Sequence, residues 1–158
     1  MVSPSAWQQA ADKSKYFPVF GAKDFAATTE RSTELNFVIV DCHLEQSGIV
    51  PGDWANDPTV VICLRSADRN AMPVVRHSVT VLMKQAVKTP VILIANSHWQ
   101  TPDEHLIHFA TETGALFLEG MGDGIWLGYG EGAQMADIKT TGRTYLEVKD
   151  IGQFTNNT

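Results

Sequence analysis

Features that mark several large classes of protein are scarce in this sequence. Only two of its 158 residues are cysteines, too few for a disulfide-stapled scaffold or a four-cysteine metal site. No apolar run approaches the roughly 18 residues that a membrane-spanning helix needs. The N-terminal stretch MVSPSAWQQAADKSKYFP lacks the basic and then apolar pattern of a secretory signal. We therefore expect a cytoplasmic protein with no membrane partner.

Positive charge is scarce too. Twelve Lys and Arg are outnumbered by eighteen Asp and Glu, and the formal net charge is −6. Nucleic-acid binding needs a basic stripe, and the sequence has none, so we expect no nucleic-acid partner. The rest of the composition, 44% apolar and 19% charged, is that of an ordinary globular protein. The length suits one core, which we place at residues 1–151, followed by a polar tail at 152–158.

Four short apolar runs predict β-strands, at residues 35–40, 59–64, 91–95 and 115–119. The second and third runs are apolar on both sides, which is typical of parallel strands covered by helices on both faces of a sheet. Cys42 and Cys63 lie at the ends of two of the strand segments. We interpret both as small buried apolar residues in a reducing compartment.

Two helices are predicted between the later strands. Apolar residues recur at helical spacing over 72–87. A second helix begins after Thr101, which forms a capping signature with Pro102 and Glu104, and Gly114 is placed as its C-terminal cap. Strands that alternate with helices pair in parallel through right-handed crossovers. We therefore expect an α/β fold with a mostly parallel sheet and flanking helices, either an open sheet or part of a (β/α) barrel.

A glycine-rich turn follows the last predicted strand. Gly120, Gly122, Asp123 and Gly124 form the stretch GMGDG after Glu119. Glycines at a strand end let successive backbone N–H groups approach a phosphate. The spacing fits neither the Rossmann nor the P-loop fingerprint. The turn therefore has two interpretations, a phosphate-binding site and a purely structural turn.

Polar residues at predicted strand ends offer a second kind of site. Asp41, His43, His98 and Asp123 are such residues, and together they suggest a small metal-dependent hydrolase. His105 and His108 lie three residues apart on a predicted helix near Asp103, which fits either a metal site or a solvated helix face. The Gly-x-Ser-x-Gly signature of a nucleophile elbow is absent.

The segment TGALFLEGMGDGIWL resembles a known family. It is similar to the stretch GALLVDGLGDGV that closes the inserted middle domain of long-form 4-hydroxy-3-methylbut-2-enyl diphosphate synthases of plants, chlamydiae and Bacteroidetes-type bacteria. The preceding KTPVILIANSHWQTPDEHLIHFATETGALF follows that domain's pattern of strand, polar loop and helix, and YFPVFGAKDF resembles its entry segment. Lys139-Thr140 and Gly142-Arg143-Thr144 resemble parts of a later family motif, but the two cluster cysteines between those parts are missing here.

The resemblance implies a role without catalysis. The family uses a four-iron four-sulfur cluster to open a cyclic diphosphate reductively in isoprenoid biosynthesis, and its inserted domain resembles a second barrel that acts as a spacer. The resemblance therefore implies a bacterial cytoplasmic module with no catalytic residue and no cofactor of its own, whose partners are the barrel and cluster domains of the parent enzyme. Two alternatives stay open: a non-catalytic paralogue that binds a phosphate ligand at Gly120, Gly122, Asp123 and Gly124, and the metal-dependent hydrolase.

Overall fold

Five parallel strands form one sheet in which each strand lies beside its neighbours in the chain. The computed structural model describes residues 1–42, 56–68 and 71–129. The strands are β1 (Val19–Gly21), β2 (Asn36–Asp41), β3 (Val60–Arg65), β4 (Val91–Ser97) and β5 (Gly124–Tyr129). Their order is β1-β2-β3-β4-β5, and every pair is parallel. The predicted α/β fold with a parallel sheet is confirmed, whereas β1 and β5 were not among the four strands predicted.

Helices connect most of the strands. They are α1 (Pro4–Gln9), α2 (Ala22–Ala27), α3 (Ala71–Lys84), α4 (Pro102–Phe109) and α5 (Ala115–Leu118), and a π-helical turn (Ala110–Gly114) joins α4 to α5. The predicted capping box of α4 is confirmed, because the Thr101 hydroxyl accepts from the Glu104 N–H while the Glu104 carboxylate accepts from the Thr101 N–H. The helix predicted over 72–87 is α3, which ends at Lys84.

One face of the sheet carries the core. Right-handed crossovers that step to the next strand in the same direction place their connecting helices on the same face of a sheet. Apolar residues of α2, α3 and α5 pack there in one buried cluster with the strands. The buried apolar strand residues of this first face are Phe20, Val38, Val40, Val60, Ile62, Leu64, Val91, Leu93 and Ala95.

The second face of the sheet is apolar but only half-buried. Its strand register brings together seven large apolar side chains around the fully buried Cys63. They are Val19, Phe37, Ile39, Val61, Ile92, Ile94 and Trp126. Helices were expected on both faces of the sheet. The described helices of the core cluster, α2, α3 and α5, pack on the first face and do not cover the second. Strands in chain order with helices on one side are the winding of a (β/α) barrel, and β1 and β5 are the edges among the five described strands.

The strand predicted over 115–119 is wrong. These residues are helical: α5 continues α4 through the π turn, and Gly114 has φ −61° and is not a cap. Leu116 is fully buried while Leu118 is 92% exposed, as two positions on opposite sides of a helix are. A short apolar run does not distinguish helix from strand by itself, and the β-branched residues that favour a strand are missing from it.

Candidate functional site

A cleft of about 700 Å³ opens at the carboxyl ends of β2, β3 and β4. Parallel strands all end at the same edge of the sheet, and the loops that follow them commonly form the ligand site of α/β proteins. Its volume lies within the range of roughly 300–1,000 Å³ that is typical of small-molecule sites. We therefore take this cleft as the candidate functional site.

An ion pair forms one side of the cleft. Asp41 and Arg65 are the last residues of β2 and β3 and are partners in the strand register. The Arg65 guanidinium donates through Nε and Nη2 to the two carboxylate oxygens of Asp41, with 3.1 Å from Nη2 to Oδ2. These hydrogen bonds raise the pKa of Arg65. Both side chains are about half exposed, so the pair contributes more to geometry than to stability.

The α4 helix and its π turn supply the opposite wall. His108 Nε2 lies 3.0 Å from the backbone oxygen of Asn96. A carbonyl oxygen only accepts, so Nε2 carries the hydrogen, and in a neutral ring the lone pair of Nδ1 remains as an acceptor. Glu112 lies within the π turn, and its Oε2 accepts the Met72 N–H at 2.7 Å. Glu112 therefore caps the first turn of α3 and lines the cleft at the same time. Turns of this kind often occur at functional sites.

The rim of the cleft is formed by the loops after β3 and β4. Trp99 is 50% exposed, and His98 beside it is exposed. Ser66 donates its hydroxyl to Asp68 Oδ2 at 3.0 Å and accepts the Asp68 N–H at 3.1 Å. This local turn fixes the direction of the Asp68 carboxylate at the mouth of the cleft.

Of the four strand-end residues suggested for a metal-dependent hydrolase, two share this cleft. Asp41 and His98 both line it. Asp123 lies at the amino end of β5, at the opposite end of the strands from the cleft. His43 lies outside the described residues. Within the described ranges, no group of three His, Cys, Asp or Glu side chains is placed to hold a metal ion.

The two helix histidines have different surroundings. His105 is buried, with Nδ1 2.7 Å from the Ser97 hydroxyl and its ring stacked on Phe109. The expectation of a solvated helix face is therefore wrong for His105. It is a packing residue that ties α4 to β4. His108, by contrast, is half-buried and lines the cleft.

Hydrogen bonds within the protein account for much of the glycine-rich turn. The Gly120 N–H donates to Phe117 O at 2.9 Å, and the Met121 N–H donates to Leu116 O at 2.8 Å, which is a Schellman cap on α5. Asp123 accepts the Val91 N–H through Oδ2 and donates its own N–H to Val91 O. The turn lies at the amino end of the sheet, opposite the cleft. Phosphate binding at Gly120, Gly122, Asp123 and Gly124 stays a prediction, and these internal hydrogen bonds count against it.

The cysteines do not fit an iron–sulfur cluster. Cys42 and Cys63 are free and buried, as predicted. Cys42 lies beside Ser78 of α3 on the first face of the sheet, and Cys63 lies on the second face. Burial raises the pKa of the Cys42 thiol and raises that of Cys63 to about 12. Cluster iron needs thiolates that converge on it, and these two thiols are protonated and separated by the sheet.

Several cleft residues escaped prediction from the sequence. Arg65 ends an apolar strand as Asp41 does, so the same strand-end argument was available for it. Glu112 carried no such signal, because its partner Met72 is 40 residues away in the chain.

The fold and the cleft define a parallel α/β protein with barrel-type winding. No protein-family model matches the chain, and no curated protein or solved structure is significantly similar to it. Across the part of the chain that the structure describes, every helix is too short or too polar to cross a membrane.

Proposed function

We propose that this chain is a structural module of a larger cytoplasmic enzyme, the inserted middle domain of a long-form 4-hydroxy-3-methylbut-2-enyl diphosphate synthase. Two features support the proposal. The segment TGALFLEGMGDGIWL resembles the closing segment of that domain, and the strands run in chain order with barrel-type winding, as a domain that resembles a second barrel requires.

The second face of the sheet is the observation that carries the proposal. Phe37, Ile39, Val61, Ile92 and Ile94 form its centre and are only half-buried. Parallel sheets occur almost only with both faces covered, and each Å² of apolar surface that is covered stabilises the covered state by about 25 cal/mol. In this proposal the five described strands form an open part of a barrel. The substrate-binding barrel of the parent enzyme, which precedes the inserted domain in the family, covers their second face.

The module acts by position. It holds the parent's barrel and cluster domain at the separation that lets one chain close over its substrate. The four-iron four-sulfur cluster belongs to the parent, because Cys42 and Cys63 do not fit it. The chain therefore supplies a surface and a spacing, while the electron transfer takes place elsewhere in the parent.

The first test is the reading frame that encodes the chain. We expect flanking sequence for a substrate-binding barrel and for a domain with cluster cysteines. A frame that encodes neither contradicts the proposal. So does an anaerobic reconstitution in which this chain alone binds iron and sulfide stably and turns over the cyclic diphosphate.

The second test places substitutions in the parent enzyme. Phe37→Thr and Ile92→Thr change the second face, while Leu106→Thr and Leu118→Thr are controls on helix positions that are 68% and 92% exposed. We expect the second-face variants to lower turnover about tenfold, the equivalent of ~1.4 kcal/mol, and the controls to leave it unchanged.

Circular dichroism of the isolated variants checks that they fold. Equal effects of the two sets would refute the assigned face. Light scattering that shows a dimer of the isolated chain, lost in Ile92→Thr, would make a second copy the occupant. A truncated chain of residues 1–129 with a markedly lower free energy of unfolding than the whole chain would make residues 130–158 the cover of the second face. Either result would contradict the packing proposed here.

A further inference from the structure

The carboxyl-end cleft keeps unused hydrogen-bonding groups after its internal bonds are made. Glu112 accepts the Met72 N–H through Oε2, and Asp68 accepts the Ser66 hydroxyl through Oδ2. Within the contacts of the described residues, each carboxylate thus uses one oxygen for the protein and leaves the other oxygen for a ligand. In its neutral form His108 adds the lone pair of Nδ1, because Nε2 is directed at Asn96 O.

The charge of the cleft selects the sign of the ligand. Among the described residues, three carboxylates, those of Asp41, Asp68 and Glu112, line it with one guanidinium, that of Arg65. These described groups carry a formal charge of −2 when the histidines are neutral. The Asp41 carboxylate and the Arg65 guanidinium largely compensate each other through their paired hydrogen bonds. The remaining charge is therefore that of Asp68 and Glu112, and it favours a cation.

The apolar part of the lining selects the shape of the ligand. Ile94, Ala67 and Ala71 provide apolar wall, and the half-exposed indole of Trp99 stands at the rim. Tryptophan is the best of the aromatic side chains for binding a cation over its ring, and its face also stacks on flat groups. A cleft of about 700 Å³ accommodates a small organic molecule with room for water.

We propose that this cleft binds a small organic cation, a protonated amine that carries a flat apolar group. The ammonium pairs with Asp68 and Glu112, and the flat group packs against Trp99. The Asp41–Arg65 pair and the His108–Asn96 hydrogen bond hold the two walls in place. The cleft borders the second face of the sheet, to which Ile94 also belongs, but it opens at the carboxyl ends of the strands. The binding proposed for it does not depend on the role proposed for the chain.

Binding of three matched probes to the whole chain tests the proposal. Benzylammonium, benzyl alcohol and benzoate share one ring and differ in charge. Each is titrated into the 15N-labelled protein, and the amide signals of Ser66, Asn96 and Trp99 and the Trp99 indole N–H are followed by NMR. We expect benzylammonium to bind at millimolar concentration or below, about tenfold more tightly than the other two, and salt to weaken it. Equal affinity for benzyl alcohol, tighter binding of benzoate, or shifts confined to other parts of the chain would overturn it.

Variants locate the two halves of the site. Asp68→Asn keeps an acceptor for Ser66 but removes the charge, and its matched control is Glu34→Gln, the same change at an exposed position at the amino end of β2. We expect Asp68→Asn to weaken benzylammonium about 3- to 10-fold and Trp99→Leu to weaken it about 2- to 30-fold. The control should bind as the unchanged protein does. Equal effects of Asp68→Asn and Glu34→Gln would refute a local charge contact, and an unchanged affinity in Trp99→Leu would refute the stacking surface.

Discussion

Replacing Gly122 by alanine tests why the glycine-rich turn has its sequence. Gly122 has φ +91° and Gly120 has φ +71°, so an alanine at either position adopts a left-handed backbone. The two positions differ in their surroundings. A Cβ at Gly122 would lie 3.0 Å from Leu93 Cγ and 3.2 and 3.3 Å from its two Cδ atoms, whereas a Cβ at Gly120 would have no atom within 4 Å.

The structure gives the size of each effect. The left-handed backbone costs about 1–2 kcal/mol for an alanine at either site. At Gly122 the new methyl also overpacks Leu93, which is 1% exposed and packed in the core cluster, and overpacking a core adds about 1–3 kcal/mol. We therefore expect Gly120→Ala to lower the free energy of unfolding by about 1–2 kcal/mol, and Gly122→Ala to lower it by about 2–5 kcal/mol.

Urea unfolding followed by circular dichroism measures both values, and a constant m-value shows that the denatured state is unchanged. A double-mutant cycle adds a sharper measurement. Leu93→Ala removes the atoms that clash, so its cost should be smaller by about 1 kcal/mol or more in the Gly122→Ala background than in the unchanged protein. Equal losses in the two glycine variants, together with no coupling to Leu93, would refute the steric argument.

Two further predictions concern buried contacts away from the turn. Glu112→Ala should lower the free energy of unfolding by about 1.5–3 kcal/mol, because the N–H of Met72 at the start of α3 loses a charged acceptor. Glu112→Gln keeps a neutral acceptor and should lower the free energy of unfolding by about half as much. Equal stability of the two variants in urea unfolding would contradict a charge effect. For Cys63, burial raises the thiol pKa from its ordinary 9.0 to about 12, so the unfolded chain loses this proton first and stability should fall as the pH rises from 9 to 12. Thermal unfolding should show a smaller alkaline loss in Cys63→Ala, and rapid alkylation of the native Cys63 at neutral pH would show that its burial is wrong.

Much of the fold could be predicted because single segments carry their own signals. The β-branched runs that became β2, β3 and β4 are apolar enough to be strands in any buried context. Thr101 and Glu104 lie three residues apart, so the capping box is readable from the sequence. By contrast, the three-residue strand β1 is too short to show a pattern. Its place depends on hydrogen bonds to β2 and to Val2, which are tertiary contacts.

The helix at 115–118 was missed for a related reason. Gly114 was interpreted as a stop signal, but the π turn absorbs one extra residue and carries the helix past it. The helix then ends at Leu118, and the Schellman hydrogen bonds form at Gly120 and Met121 just beyond it. The interpretation of the turn depended on this boundary. A strand that ended in glycines would place the turn at the carboxyl ends of the strands. A helix that is followed by glycines places the turn at the amino ends.

Most of the cleft could not be predicted, because its residues come from separate parts of the chain. Arg65, His108 and Glu112 come together only when β3 pairs with β2 and the π turn packs against α3. One general rule did apply to the sequence: polar residues that follow parallel strands lie together at the carboxyl ends of those strands. That rule placed Asp41 and His98 in one cleft, but it could not supply the residues that a helix contributes from the side.

The segment GMGDG is also the segment that resembles the synthase family most closely, so its geometry bears on what that likeness means. Gly120 ends a helix in the left-handed region, Gly122 lies against Leu93 where a side chain would clash, and Asp123 binds the first residue of β4 through its carboxylate and its N–H. These three residues thus have the conformations and contacts that are needed to join a helix to a parallel strand at the amino ends of the strands. Under the proposed family assignment, a segment kept for such reasons indicates a similar way of winding the sheet rather than a similar ligand. The geometry of the segment directs the search for ligands to the opposite ends of the strands, where Arg65, Glu112 and Trp99 line the cleft.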